Sequence, residues 1–152
     1  MSSRTRDHEY LSDAEFRAWH GALQFTNAAM RAIDESLQRE HGLSIKEFDV
    51  LITLYNAPQR KLRMTELAEQ VVLTPSGVTH LVTRLEKEGL LRRTVDEDDR
   101  RSFFTSLTAA GDRRLRDARP THNEVVRRLL VRRLNARELA TLGALWSRVL
   151  EL

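Results

Sequence analysis

The 36-residue stretch from Leu73 to Thr108 restricts the possible folds of this chain more than any other. It opens LTPSGVTHLVTRLEKEGL. Thr74 fits a helix N-cap, and Pro75 fits the first helical position, where its missing N–H is not needed. Val78, Leu81, Val82 and Leu85 recur at i, i+3, i+4 and i+7, so one stripe of the predicted helix packs inward. Gly89 stands where helices commonly end in a left-handed residue. The opposite face carries Ser76, Thr79, His80, Thr83, Arg84 and Lys87, and its first carboxylate is Glu86. Short hydroxyls, an imidazole and cations on one helix face suit phosphates and base edges in a DNA major groove.

Two short strands are predicted next, Leu90 to Val95 and Ser102 to Leu107, around the charged turn Asp96-Glu97-Asp98-Asp99-Arg100-Arg101. A helix followed by a hairpin with an arginine-bearing tip outlines a winged helix-turn-helix. The helix would enter the major groove and a wing-tip arginine the narrow minor groove beside it. Asp99, two residues before Arg101, is placed to hold that guanidinium in a bidentate pair and aim it.

The succession TPSGVTHLVTRLEKEGL, DEDDRR and F-x-x-LTAAG resembles the recognition helix, wing and helix entry of the MarR family of bacterial transcriptional regulators. The resemblance extends more weakly over about residues 11–150. It implies a mainly α fold with a small β-hairpin wing, in which long N- and C-terminal helices form a dimerisation region. Residues 1–152 would then be one domain, with dimerisation helices at 11–42 and 109–152 and a winged helix-turn-helix lobe at 44–108. It also implies double-stranded operator DNA and a second copy of the chain as partners. On this reading Thr79, Arg84 and Arg100 contact phosphates, while Ser76, His80 and Thr83 read base edges. Thr74 and Lys87 complete the DNA-facing set. Arg101 takes the minor groove and Asp99 orients it. Many members of the family bind small aromatic or phenolic effectors, for which Trp19, His20, Phe48, Arg63 and His122 are the candidate lining here.

Composition narrows the alternatives. At 152 residues the chain accommodates one domain with a real core rather than two. No apolar run approaches the ~20 residues needed to cross a bilayer, and Met1-Ser2-Ser3-Arg4 has no signal-peptide pattern, so a cytoplasmic protein is expected. With no cysteine, disulfides, thiolate zinc sites and the cysteine-based peroxide sensing of some family members are excluded. The net charge of +3 is compatible with nucleic acid, but so small a total makes local placement decisive. Five histidines offer no metal-ligand spacing. No nucleophile–base pair or glycine-rich phosphate loop stands out, so neither an enzyme nor a cofactor is expected.

Upstream, Ser12-Asp13-Ala14-Glu15 is a capping-box pattern. Phe16, Trp19, Leu23, Met30, Ile33 and Leu37 then mark a helix roughly 40 Å long ending near Gly42. Ser44-Ile45-Lys46-Glu47 is a second box, ahead of a helix with Phe48, Leu51, Ile52 and Tyr55 on its apolar face. Leu62-Arg63-Met64 reads as a short strand beside the wing, and Thr65 to Gln70 as the first helix of the helix-turn-helix. After Thr108 a long helix is predicted to about Leu134, with a kink or break near Arg119 because Pro120 lies inside it. Asn135 with Glu138 caps the last helix, whose stripe includes Leu142, Leu145, Trp146 and Val149. The terminal helices carry more apolar face than one small lobe can bury, as expected of a dimer interface. Two other readings stay open: a winged-helix module that binds protein, and a histidine-based metal-responsive regulator.

Overall fold

The computed structural model describes residues 10–71, 75–96 and 102–150. Helix α1 (Asp13–His41) starts at Ser12, whose N–H donates to the Glu15 carboxylate at 2.8 Å while the Glu15 N–H donates to the Ser12 hydroxyl. This reciprocal pair satisfies two N–H groups that the first turn leaves without helical partners. Gly42, at φ 59°, closes α1. Ser44 and Glu47 repeat the device at the start of α2 (Ile45–Asn56). The Ile45 N–H also donates to Asp34 Oδ1 at 2.8 Å, which pins α2 against α1.

Strand β1 (Lys61–Arg63), helices α3 (Met64–Gln70) and α4 (Pro75–Lys87), and strands β2 (Leu91–Val95) and β3 (Phe103–Leu107) come next. The antiparallel sheet has the order β1-β3-β2, with Leu62 opposite Thr105 and Arg93 opposite the same residue from the other side. Helices α5 (Ala109–Leu129) and α6 (Ala136–Val149) complete the chain, joined by a 3-10 turn at Val131–Arg133. The fold is mainly helical with a small three-stranded sheet, as the motifs imply. Strand β1 and helix α3 each begin one residue earlier than expected.

Helix α5 departs from expectation in two ways. It runs unbroken through Pro120, and it ends at Leu129 rather than near Leu134. A proline inside a helix costs about 3 kcal/mol through a lost hydrogen bond and a ring clash. Here the ring is on the exposed side, while Leu115, Ala118 and Val125 are buried on either side of it in sequence. Burial of about 1.5–3 kcal/mol for each large apolar side chain offsets the penalty and keeps the helix continuous.

The core joins the C-terminal third of α1 (Ile33, Leu37) to α2 (Val50, Leu51, Leu54), α4 (Val78, Val82, Leu85) and α5 (Leu115). The first two-thirds of α1 and the whole of α6 contribute no buried residue. Their large apolar side chains face outward instead, with Trp19 60% and Trp146 43% exposed.

Candidate nucleic-acid interface

Helix α4 is anchored below and exposed above. Val78, Val82 and Leu85 are fully buried and Leu81 is half-buried, so the helix cannot rotate without exposing its stripe. Ser76, Thr79, His80 and Lys87 are exposed as the spacing predicted, and Thr83 is half-buried. Two flanks can be distinguished. Thr79 faces a groove shared with Met64, Thr65 and Ala68, and His80 and Arg84 face one shared with Lys46.

The end of α4 is tied firmly to strand β2. Gly89, at φ 74°, turns the chain into β2 in the left-handed conformation expected of it. Glu86 receives hydrogen bonds from Arg93, with Nε at 2.8 Å and the backbone N–H at 3.3 Å. The Arg93 guanidinium chiefly holds the Glu86 carboxyl below its ordinary value, against a smaller upward push from burial. This residue, the first carboxylate of the outward face in sequence, therefore serves the helix–wing joint. Thr108 locks the same joint from the other side. Its N–H donates to the Leu90 carbonyl at 3.0 Å, and its hydroxyl lies 2.6 Å from the Gly89 carbonyl and 3.1 Å from that of Leu90.

At the root of the wing, Asp96 is 2% exposed and is gripped by Arg63 of β1, with Nε at 2.8 Å and the terminal nitrogen at 2.6 Å. The Asp96 N–H donates to the Ser102 carbonyl at 3.0 Å. The predicted polar turn thus begins with a buried, paired carboxylate that fixes where the wing departs. Thr74, Asp99, Arg100 and Arg101 lie outside the described residues.

Arg84 is placed differently from the other described members of the predicted DNA-facing set. Its guanidinium hydrogen-bonds Oε1 of Glu47, a residue only 4% exposed, and its Nε lies 3.7 Å from Glu88. The pairing with Glu88 is visible in the four-residue spacing, whereas that with Glu47 is not. Glu47 reads in sequence only as the third residue of a capping box.

The candidate effector residues are not gathered together. Phe48 and His122 stack at 4.6 Å between ring centroids, at the wall of a cavity of about 530 Å³ among α1, α2 and α5. Ile33, Ile52, Lys46 and Arg119 also line it. Trp19 and His20 lie on the exposed part of α1, and Arg63 is committed to the wing root. The sequence reading missed Arg119, one turn before His122 on α5. Its guanidinium covers the Tyr55 ring at 4.5 Å, and its buried Nε has no hydrogen-bond partner among the described residues. Among those residues no cluster could hold a metal ion, and no helix is long and apolar enough to cross a membrane.

A sequence model described as the MarR family matches residues 43–103, the stretch from just before α2 to the wing. A MarR family transcriptional regulator from Streptomyces coelicolor, Sco3205, solved in complex with DNA, is 34% identical. The match covers 93% of this chain and 89% of that one, with a TM-score of 0.85. The chain belongs to the MarR family. A second S. coelicolor family member, AbsC, is 30% identical over 93% of this chain and 95% of its own, with a TM-score of 0.84. Among curated relatives, an uncharacterised HTH-type regulator of Bacillus cereus is 35% identical over 102 residues, 67% of this chain and 65% of its own length. The chain thus spans just under two-thirds of that relative. The Bacillus subtilis regulator MhqR is 32% identical over 97 residues, 62% of this chain and 66% of its own. MarR relatives are transcriptional regulators rather than enzymes.

Proposed function

We propose that the chain is a homodimeric, sequence-specific regulator that binds duplex DNA and represses by occluding a pseudo-palindromic operator. The observation that carries this reading is the exposed face of α4. It projects Ser76, Thr79, His80 and Lys87 from a helix buried on its other side and braced to a wing. Ser76, His80 and Thr83 read base edges, and Thr79, Lys87 and Arg100 engage phosphates. Arg101, oriented by Asp99, enters the minor groove. Sco3205, solved in complex with DNA, supports the assignment by its likeness.

The dimer reading rests on the exposed apolar residues of α1 and α6. Phe16, Trp19, Leu145, Trp146 and Val149 are each more than 40% exposed in the single chain. Such contiguous apolar faces are covered in a stable protein. Two-fold symmetry would set two α4 helices one DNA turn, about 34–36 Å, apart. A cytoplasmic location accords with this function. The Phe48–His122 cavity is the proposed site of a small aromatic or phenolic effector. It would release DNA by favouring one spacing of the two lobes over the other.

The test is a titration against fluorescent DNA from around the gene that encodes the chain, at two salt concentrations with competitor DNA. Saturable binding of one dimer, weakened by salt yet surviving competitor, is expected. Binding that ignores salt would favour the protein-docking alternative.

A further inference from the structure

We infer that Glu47 is a positioning residue for DNA binding: it withholds Arg84 from the phosphate backbone and so limits the affinity of α4 for DNA of any sequence. The inference rests on the DNA-binding reading above and reassigns one residue of its predicted interface.

Arg84 projects from the outward side of α4, with its side chain 56% exposed, on the flank where Lys46 and His80 share its groove. An arginine so placed would be free to meet a phosphate. Its guanidinium is instead held between two carboxylates, Glu47 and Glu88. Glu47 cannot turn away to water. Its side chain is 5% exposed, and its Oε2 is occupied by the Ser44 N–H at 2.6 Å, which fixes the carboxylate at the start of α2. Moving Arg84 onto a phosphate would leave that buried carboxylate without its counter-charge, a costly state. The charge of Arg84 is therefore committed within the protein, and α4 approaches DNA with one cation fewer than its sequence displays.

This placement has a purpose in recognition. Phosphate contacts raise affinity for every sequence alike, whereas base contacts discriminate. A recognition helix that withholds an arginine lowers the non-specific background against which its base readers act.

The experiment measures the affinity of the full chain for a labelled duplex of random sequence across a series of salt concentrations. The proteins are the wild type, Glu47→Gln, Arg84→Gln and the double variant. Glutamine at position 47 retains the capping box, since Glu and Gln both serve at that position. It removes the charge that competes for Arg84. Each phosphate neutralised steepens the dependence of log affinity on log salt by about 0.9, so two freed arginines in a dimer steepen it by about 1.8. Between 50 and 200 mM salt, Glu47→Gln should therefore lose about twelvefold more affinity than the wild type. The double variant should return to the wild-type slope. An unchanged slope in Glu47→Gln with its folded circular dichroism intact would overturn the inference. So would a slope flattened by about 1.8 in Arg84→Gln, because Arg84 would then already sit on phosphates. A wild-type protein that binds no duplex at the lowest salt would remove the DNA-binding reading itself, a result distinct from either.

Discussion

Replacing Gly111 by alanine sets two effects of opposite sign against each other, and the structure decides between them. Gly111 is in the first turn of α5, where alanine should stabilise the helix by roughly 0.5–1 kcal/mol. A Cβ built there would lie 2.1 Å from the Leu90 carbonyl oxygen, 3.0 Å from its carbon and 3.2 Å from Leu107 Cδ2. The obstacle is backbone, so no side-chain rotation relieves it. Opening the contact from 2.1 to 3.0 Å requires about 0.9 Å of movement between the start of α5 and the turn that joins α4 to β2.

The same carbonyl accepts from the Thr108 N–H at 3.0 Å and lies 3.1 Å from its hydroxyl. Neither distance tolerates 0.9 Å of stretch and remains a hydrogen bond. Two hydrogen bonds at about 1 kcal/mol each, together with 1–3 kcal/mol of overpacking, outweigh the helix gain. The net expectation is a loss of about 2–4 kcal/mol, or roughly 5–15 °C in Tm for a chain of this length. Thermal unfolding should be compared at equal protein concentration, because a dimer's Tm depends on it. A Gly111→Ala protein as stable as the wild type would show that the α4–β2 turn yields freely and that the Thr108 lock is not a rigid joint.

The remaining predictions test other parts of the molecule. Arg101→Ala should weaken operator binding at least tenfold in a fluorescence titration while leaving Tm unchanged; equal affinity would remove Arg101 from the DNA contact. Trp146→Glu should cost the dimer about 2 kcal/mol or more, raising its dissociation constant roughly thirtyfold, as sedimentation would show. An unchanged dimer would place the interface elsewhere. The Glu86 carboxyl is held below its ordinary value of 4.5 by Arg93, so its contribution is complete above that pH and lost as pH falls through the depressed native value. Because the pair is partly exposed, Glu86→Gln should cost under about 1 kcal/mol at pH 7 and flatten the acid limb of the Tm–pH curve below 4.5. A parallel limb in the variant would assign the acid sensitivity to other groups.

Legibility in the sequence tracks the range of the interaction concerned. The capping boxes at Ser12, Ser44 and Asn135 all form, and Gly42 and Gly89 adopt left-handed φ. Each is decided within four residues, so its chemistry is complete in the local sequence. The buried stripe of α4 was equally legible, because 3.6-residue periodicity alone places Val78, Val82 and Leu85 together. Pro120 shows where local rules fail. Its intrinsic penalty is real, but the outcome depended on how α5 packs beyond its own turn, which no window around residue 120 contains.

The charged residues show the same limit more sharply, and they determine the interface. Glu47 and Arg84 are 37 positions apart, and Arg63 and Asp96 are 33 apart. In sequence, each acid is a solvated charge or a cap, and each arginine is a candidate for phosphate or ligand. Only the fold that sets α2 against α4, and β1 beside β3 at the root of the wing, turns them into pairs with one member buried. A basic residue on a recognition helix is therefore a DNA contact only if no buried carboxylate claims it first. On α4 this condition separates Lys87, exposed at the helix end with no acidic partner among the described residues, from Arg84, which projects from the same outward side. The sequence displays both as equivalent cations, but the folded lobe commits Arg84 to two carboxylates and leaves Lys87 as the proposed phosphate contact.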